Sequence, residues 1–306
     1  MRNQEQRLVY ILESVGVGDR FMNQDTCCAY FKENVCIESY TTHIKRSLAL
    51  WSYLKRYYIK SIKRLLWIEV DPVEIALLFH DVGKLVEAYR KNRERFRHEI
   101  IGSYVVYKVL ENLGFDERTR AVVSLAVLLH HEPLIFSAYI SRLGERYITI
   151  SVIKKVIDES DLTIYCSSHL SNMLKELVNY VTDLDDVLKE KIVNVGIDVL
   201  SNLNTRKNDI LKVIKTIIVK ASIGDSIELH KTRAKVAGLL HPLVVSDSVA
   251  AHIGRSLCQH DKESSEGTWV VRRALGLDQP KIQDNKTLEP LQAEILEKEK
   301  LENSLC

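Results

Sequence analysis

The chain has 306 residues, 46% of them hydrophobic and 27% charged, with 43 lysines and arginines against 41 acids for a net charge of +2. Those values, with only 12 glycines and 5 prolines, fit a compact, mostly helical chain built as one large domain or one domain with an added piece. The N-terminus lacks a signal peptide's apolar stretch and no run of about 18 apolar residues is expected to span a bilayer, so a membrane role has no support and a cytoplasmic protein is expected.

In chain order, the first patterned segment is Cys27 to Ile37, a short strand-like patch that suits a minor ribbon or a helix edge, as does Tyr147 to Val152. Six cysteines show no C-x-x-C spacing, which argues against a zinc ribbon or a redox pair and for reduced, mostly buried thiols. Leu48, Trp51, Leu54, Tyr58 and Ile62 then keep helical spacing and mark a core stripe. The same stretch, Lys45 to Leu66, carries seven basic side chains, no acid, and interleaved Trp51, Tyr53, Tyr57 and Tyr58. Such a surface suits single-stranded nucleic acid through backbone attraction and base stacking, or is an ordinary solvated helix face over core aromatics.

Ile75 to Leu85 is an apolar helix face that ends by presenting His80, Asp81 and, three residues on, Lys84. A second basic run, Arg90 to Arg97, sits immediately before His98 and reads as a track for a nucleic-acid backbone. Ala121 to Leu134 repeats the first design, with a buried helix that ends in His130-His131-Glu132 and is followed by Pro133. With His43 upstream, two helices thus deliver paired ligands. Neutral imidazole and carboxylate suit transition metals, and an adjacent pair can address one ion or bridge two.

Leu170, Leu174, Leu177, Val181, Leu184 and Leu188 form another core stripe, inside a helical insert over about 165–220 that is expected to cap the site. Three aspartates compete to close the ligand set: Asp161, Asp225 and Asp247. Asp247 is favoured, because its flanks are apolar before and small after, which lets a helix approach a metal closely. Beyond residue 258 the composition shifts to ten acidic against seven basic side chains without Phe or Tyr, a charged tail with one amphipathic helix over Leu288 to Leu301.

The ordered set His43, His80-Asp81, Lys84, His98, His130-His131 and Asp247 resembles the HD superfamily of metal-dependent phosphohydrolases. It resembles more closely the CRISPR-associated HD nucleases of type I systems, in the stand-alone double-prime form of the Cas-three nuclease, over roughly residues 35 to 257. The carrying segments are Ser39 to His43, His80-Asp-Val-Gly-Lys84, His98-Glu99 with Gly102-Ser103, His130-His131, and Val244 to Ala251 with Gly254-Arg255. The resemblance implies an all-α HD-domain bundle over 1–257 with the helical insert, followed by the tail at 258–306.

It also implies two divalent ions, among Mn, Ni, Co, Fe or Mg. His43, His80, Asp81 and Asp247 would hold one, His98, His130 and His131 the other, with Asp81 bridging and Lys84 stabilising charge on the phosphate. The implied reaction is cleavage of single-stranded DNA, or RNA, beside a guide-RNA effector complex. No Walker A sequence occurs, so unwinding would come from a separate CRISPR helicase. The alternative within the superfamily is a phosphohydrolase of small nucleotides, which would need a closed pocket instead of a basic groove.

Overall fold

Ser39 ends a strand and begins a helix, and much of the architecture follows from that junction. In the computed structural model, which describes residues 26–32, 35–93, 96–131, 150–222 and 224–257, β1 (Cys28–Lys32) and β2 (Val35–Ser39) form an antiparallel ribbon that pairs Cys28 with Ser39 and Lys32 with Val35. The Ser39 hydroxyl accepts from the Thr42 amide at 3.0 Å and so caps α1 (Tyr40–Leu66), satisfying one of the orphan donors of a helix start. About seven turns later α1 closes on Trp67 in the left-handed conformation, whose N–H lies on the Lys63 carbonyl.

Asp71 then caps α2 (Pro72–Phe79) through the amides of Val73 and Glu74, with Pro72 at the first helical position. Every residue of α2 is buried, so its apolar run is a core helix that ends at His80. A 3-10 turn (Val82–Leu85) and a short α3 (Glu87–Lys91) lead to α4 (His98–Asn112) and the Asp116-capped α5 (Glu117–Leu129). After α6 (Ile150–Glu159) the chain returns to the 3-10 turn, where the Glu87 amide donates to Thr163 O and the Tyr165 amide to Leu85 O. The fold is completed by α7 (Ser167–Val178), α8 (Asp186–Ser201), α9 (Lys207–Ser222) and α10 (Ser226–Leu257). The class is all-α, with ten α-helices and one small ribbon among the described residues.

Three sequence expectations need correction. The insert is not a separate cap: Leu170, Leu174, Val193, Val199, Ile214 and Ile217 lie in the same core cluster as Ile75, Phe79 and Ile101. Its apolar stripes were read correctly as core, but α8 packs on α4 and α9 on α5, which spacing alone does not reveal. The thiols at Cys27, Cys28, Cys36 and Cys166 are not reduced. Cys28–Cys36 staples the ribbon and Cys27–Cys166 ties it to the start of α7; cysteine spacing does not encode such connectivity. Finally, Ser226–Gly254 is long and apolar enough to cross a membrane, yet half of its most apolar stretch is buried within the fold. It packs on α1 and α5, so its apolarity is that of a core helix. Of the second strand-like patch, Ile150 onward opens α6 and 147–149 lie outside the described residues, as do Glu132, Pro133, Cys258, Cys306 and the whole tail at 258–306.

Two glycines set the spacing between α4 and the turn after α2. A Cβ on Gly83 would stand 2.1 Å from the His98 carbonyl oxygen, and one on Gly102 would stand 2.2 Å from that of His80. Backbone thus meets backbone in both directions, and each contact sits beside a histidine. Gly102→Ala has no flexible side chain to displace and must push α4 away, which is expected to cost about 1–3 kcal/mol or more. Chemical denaturation measures it, and a change below about 0.5 kcal/mol would show that the two segments adjust freely.

Candidate metal centre

The His80-Asp81 pair and the His130-His131 pair both sit where a buried helix runs out. His80 is the C-cap residue of α2 and His130 that of α5. In each, Nδ1 contacts the carbonyl of the residue three before it, Leu77 at 2.8 Å and Val127 at 2.5 Å. A carbonyl of the last helical turn therefore fixes the ring and turns Nε2 outward, as outer-shell partners do for metal-binding histidines. His43 comes from the first turn of α1, His98 opens α4, and Asp247 comes from the middle of α10.

These side chains converge in two groups that share Asp81: His43, His80, Asp81 and Asp247, and Asp81, His98, His130 and His131. Within each, the ligand atoms all lie within 4.8 Å of one another. The two oxygens of Asp81 divide the work. Oδ2 faces His43 Nε2 at 3.2 Å and His80 Nε2 at 3.6 Å, while Oδ1 faces His98 Nε2 at 3.0 Å, His130 Nε2 at 3.6 Å and His131 Nε2 at 3.8 Å. Asp247 Oδ1 closes the first group, 3.0 Å from His43 Nε2 and 3.3 Å from His80 Nε2. Asp225 and Asp161 lie elsewhere: Asp225 accepts from the Glu228 amide at the start of α10, and Asp161 from Thr163 and Asn204.

Donor chemistry and burial fit a metal ion. Ligands about 2.0–2.2 Å from one ion stand roughly 3.0–3.5 Å apart, and the oxygen–nitrogen separations from Asp81 to the imidazoles run from 3.0 to 3.8 Å. Asp81 Oδ1, His98 Nε2 and His130 Nε2 are buried without a hydrogen-bond partner, an arrangement that proteins rarely tolerate unless the atoms serve a ligand.

Electrostatics prepares the same atoms. Burial would raise the Asp81 pKa, but the charges of Lys84 and His80 outweigh it and hold the carboxyl well below its usual range. Asp247 is lowered likewise against burial, chiefly by the charge of His131 and its hydrogen bond to His43. His131 is pushed well below the ordinary imidazole value by burial and by the neighbouring His130. Lys84 Nζ stands 2.6 Å from Asp81 Oδ2, which makes it a partner of the shared carboxylate.

A protein-family model, the HD domain, matches residues 52–164, a stretch with five of the seven donors but not His43 or Asp247. A CRISPR-associated endonuclease Cas3-HD from Thermoproteus tenax is 33% identical over 253 residues, covering 81% of this chain and 96% of that protein. The chain belongs to the Cas3-HD family. Proteins of the same name from Methanocaldococcus jannaschii and Pyrococcus furiosus are 28% and 26% identical, over 227 and 220 residues, and the alignments cover 84% of each. A solved Cas3 HD domain protein from M. jannaschii matches at 24% identity and a TM-score of 0.41, over 68% of this chain and 95% of that one. This Cas3-HD chain is accordingly a metal-dependent hydrolase of the nuclease class.

Around the donors lie charged partners that the sequence reading assigned elsewhere or passed over. Glu38, buried at the end of β2, lies 3.6 Å from His43 Nδ1 and accepts from Arg46 at 2.9 Å. Gly254 makes room for that pair, since a Cβ there would fall 2.3 Å from Glu38 Oε1. On the opposite side, Glu99 lies 3.6 Å from His98 Nδ1 and accepts from Arg97 at 2.7 Å. The signal for Glu38 was an acid directly before an inward-facing helix start. For Arg97 there was none, and its place in a basic run suggested a nucleic-acid contact instead. Arg93 of that run donates to the Phe31 carbonyl at 2.7 Å and stacks on the Phe31 ring, Arg90 lies over the Tyr165 ring, and Arg95 is outside the described residues.

Against the burial that lowers it, the Glu38 carboxylate heads the influences that raise the His43 pKa well above the usual imidazole value, so it makes that ring a stronger donor. Glu38→Gln keeps the shape and removes the charge. It is expected to weaken divalent-metal affinity about 10–100-fold, measured by calorimetry alongside a melting curve. Unchanged affinity would assign Glu38 to its salt bridge with Arg46 alone.

Proposed function

We propose that the chain cleaves single-stranded DNA, or RNA, in type I CRISPR interference by a two-metal mechanism, with unwinding supplied by a separate helicase chain and access by the guide-RNA effector complex. The observation that supports two ions is the division of Asp81, one carboxylate with an oxygen in each donor group. Five imidazoles among seven donors favour Mn, Fe, Co or Ni over Mg, which prefers oxygen ligands. Two such ions held by these residues would supply Lewis-acid activation of a water and charge stabilisation at a phosphodiester.

The remaining work belongs to the side chains. Asp81 keeps its oxygens available to both groups because its proton is lost well below neutral pH. Lys84 is one turn away and brings a positive charge to the phosphate in a buried setting, where such charges count most. The His131 side chain is 35% exposed, against 9% or less for the other six donors, so the scissile phosphate approaches past His131. The names of the relatives, CRISPR-associated endonucleases, support the nucleic-acid substrate. The domain reading of 1–257 as the nuclease unit, with 258–306 as an appendage, and a cytoplasmic location belong to the same proposal.

Asp81→Ala should abolish metal-dependent cleavage of single-stranded DNA and lower bound metal below one ion per chain. His43→Ala and His98→Ala should each leave about one. Elemental analysis of the dialysed proteins reads the ratio directly, and two ions retained in Asp81→Ala would end the bridging role. Asp247→Asn is expected to inactivate and Asp225→Asn to leave activity within about twofold, since Asp225 only caps a helix. Assays on single-stranded DNA, duplex DNA and nucleoside triphosphates with the same metals decide the substrate. Turnover of the triphosphates alone would favour a nucleotide phosphohydrolase.

A further inference from the structure

The seven cations of α1 do not form one surface. Four are used inside the fold: Lys45 pairs with Glu176, Arg46 with Glu38, Lys55 with Asp71, Glu74 and Asp183, and Lys63 with Asp183. Arg56, Lys60 and Arg64 are exposed and make no ion pair with a carboxylate among the described residues. Their spacing of four places them on one stripe about 12 Å long. Arg56 lies 4.4 Å over the Tyr53 ring and 4.8 Å over that of Tyr57, so the stripe is flanked by aromatics. Tyr57 is 60% exposed and Trp67, at the end of the helix, 89%.

Trp67 supplies an independent reason to expect a ligand. It closes α1 with a φ of 58°, a left-handed position that glycine usually fills and that strains a residue with a Cβ. Its large ring gains no cover from the fold in return. Three like charges in a row also repel one another, and a polyanion relieves that repulsion.

We propose that this face of α1 is a track for single-stranded nucleic acid, with Arg56, Lys60 and Arg64 meeting successive phosphates and Tyr57 and Trp67 stacking on bases. It rests on the nuclease reading above and deepens it. Stacking requires unpaired bases, so the surface selects single strands over duplex. The same helix carries His43 in its first turn, and the stripe begins roughly 20 Å along the axis from it. A strand on the track therefore runs along the helix that carries His43 without touching the donors.

The test is fluorescence anisotropy with a labelled oligo-dT in EDTA, where neither metal nor cleavage contributes. In Arg56→Gln/Lys60→Gln/Arg64→Gln, the slope of log affinity against log salt should flatten by roughly 2, about 0.7 for each lost phosphate contact. Tyr57→Ala/Trp67→Ala should weaken binding roughly tenfold or more with little change in slope. Both variants should hydrolyse bis-p-nitrophenyl phosphate with Mn at the wild-type rate, which shows that fold and donors are intact. Wild-type protein that ignores oligo-dT, or variants that bind it with unchanged affinity and slope, overturns the track and leaves the stripe to an acidic protein surface. Binding with the expected losses but no cleavage when Mn is added supports the track and overturns the single-strand cleavage reading instead.

Discussion

One carboxylate, Asp81, is fully buried and answers to five imidazoles and an ammonium. A charge in that position is tolerable only if its surroundings are arranged for it, since desolvation of an unpaired carboxylate would simply protonate it. The rest of the molecule can be read as that arrangement. α2 is buried along its whole length and α5 from Ala121 onward, and the carbonyls in their last turns orient His80 and His130. The same local device serves both halves of the centre: a histidine at the helix end, its Nδ1 on the carbonyl three residues back, its Nε2 toward Asp81.

Bringing two helix ends and a third helix start into one space requires backbone to approach backbone. Gly83 and Gly102 permit this, each against the carbonyl of the other segment's histidine. The first donor group depends on a different chain of supports. The Cys28–Cys36 bond holds the ribbon, the ribbon delivers Ser39 as the cap of α1, and the first turn of α1 delivers His43. The Glu38–Arg46 pair packs against Gly254 of α10 and so links β2 to the helix that carries Asp247. Both donor groups thus have a buried glutamate behind a histidine and an arginine behind the glutamate. A charge three links away from a metal ion still tunes it through that series.

Much of the centre was legible because chemistry that conflicts with its surroundings stands out in a sequence. Histidine and aspartate at the end of an apolar helical run have no packing reason to be there, and His80-Asp81 and His130-His131 carried that conflict twice. Asp247 was harder, since Asp161 and Asp225 are also acids beside apolar segments. The difference is burial: Asp161 and Asp225 satisfy local backbone at exposed positions, and periodicity does not separate a cap from a ligand. The core stripes at Leu48 to Ile62 and Leu170 to Leu188 were readable for the same reason as any amphipathic helix. What they pack against was not, and the insert therefore looked like a cap. The disulfides were invisible because pairing Cys27 with Cys166 depends on the return of the chain from α6 to the ribbon side, a tertiary fact with no local trace.

The cations show most clearly where sequence stops and structure begins. Arg90 to Arg97 and Lys45 to Arg64 look alike as strings of positive charge beside aromatics, and both suggested nucleic acid. Three-dimensional placement separates them. Arg97 is bound to Glu99 behind His98, and Arg93 is bound to the ribbon, so both of these arginines are taken up within the fold. That outcome has a physical basis, because a strong unpaired positive field next to His98, His130 and His131 would compete with divalent cations for the same site. Pairing Arg97 with Glu99 beside His98 keeps the donors attractive to metal. Cations left exposed on α1 lie far enough along the helix to be screened from it, since the Debye length is about 8 Å at physiological salt. The division reconciles two opposite demands, a site that attracts cations and a surface that attracts a polyanion, by separating them along one helix.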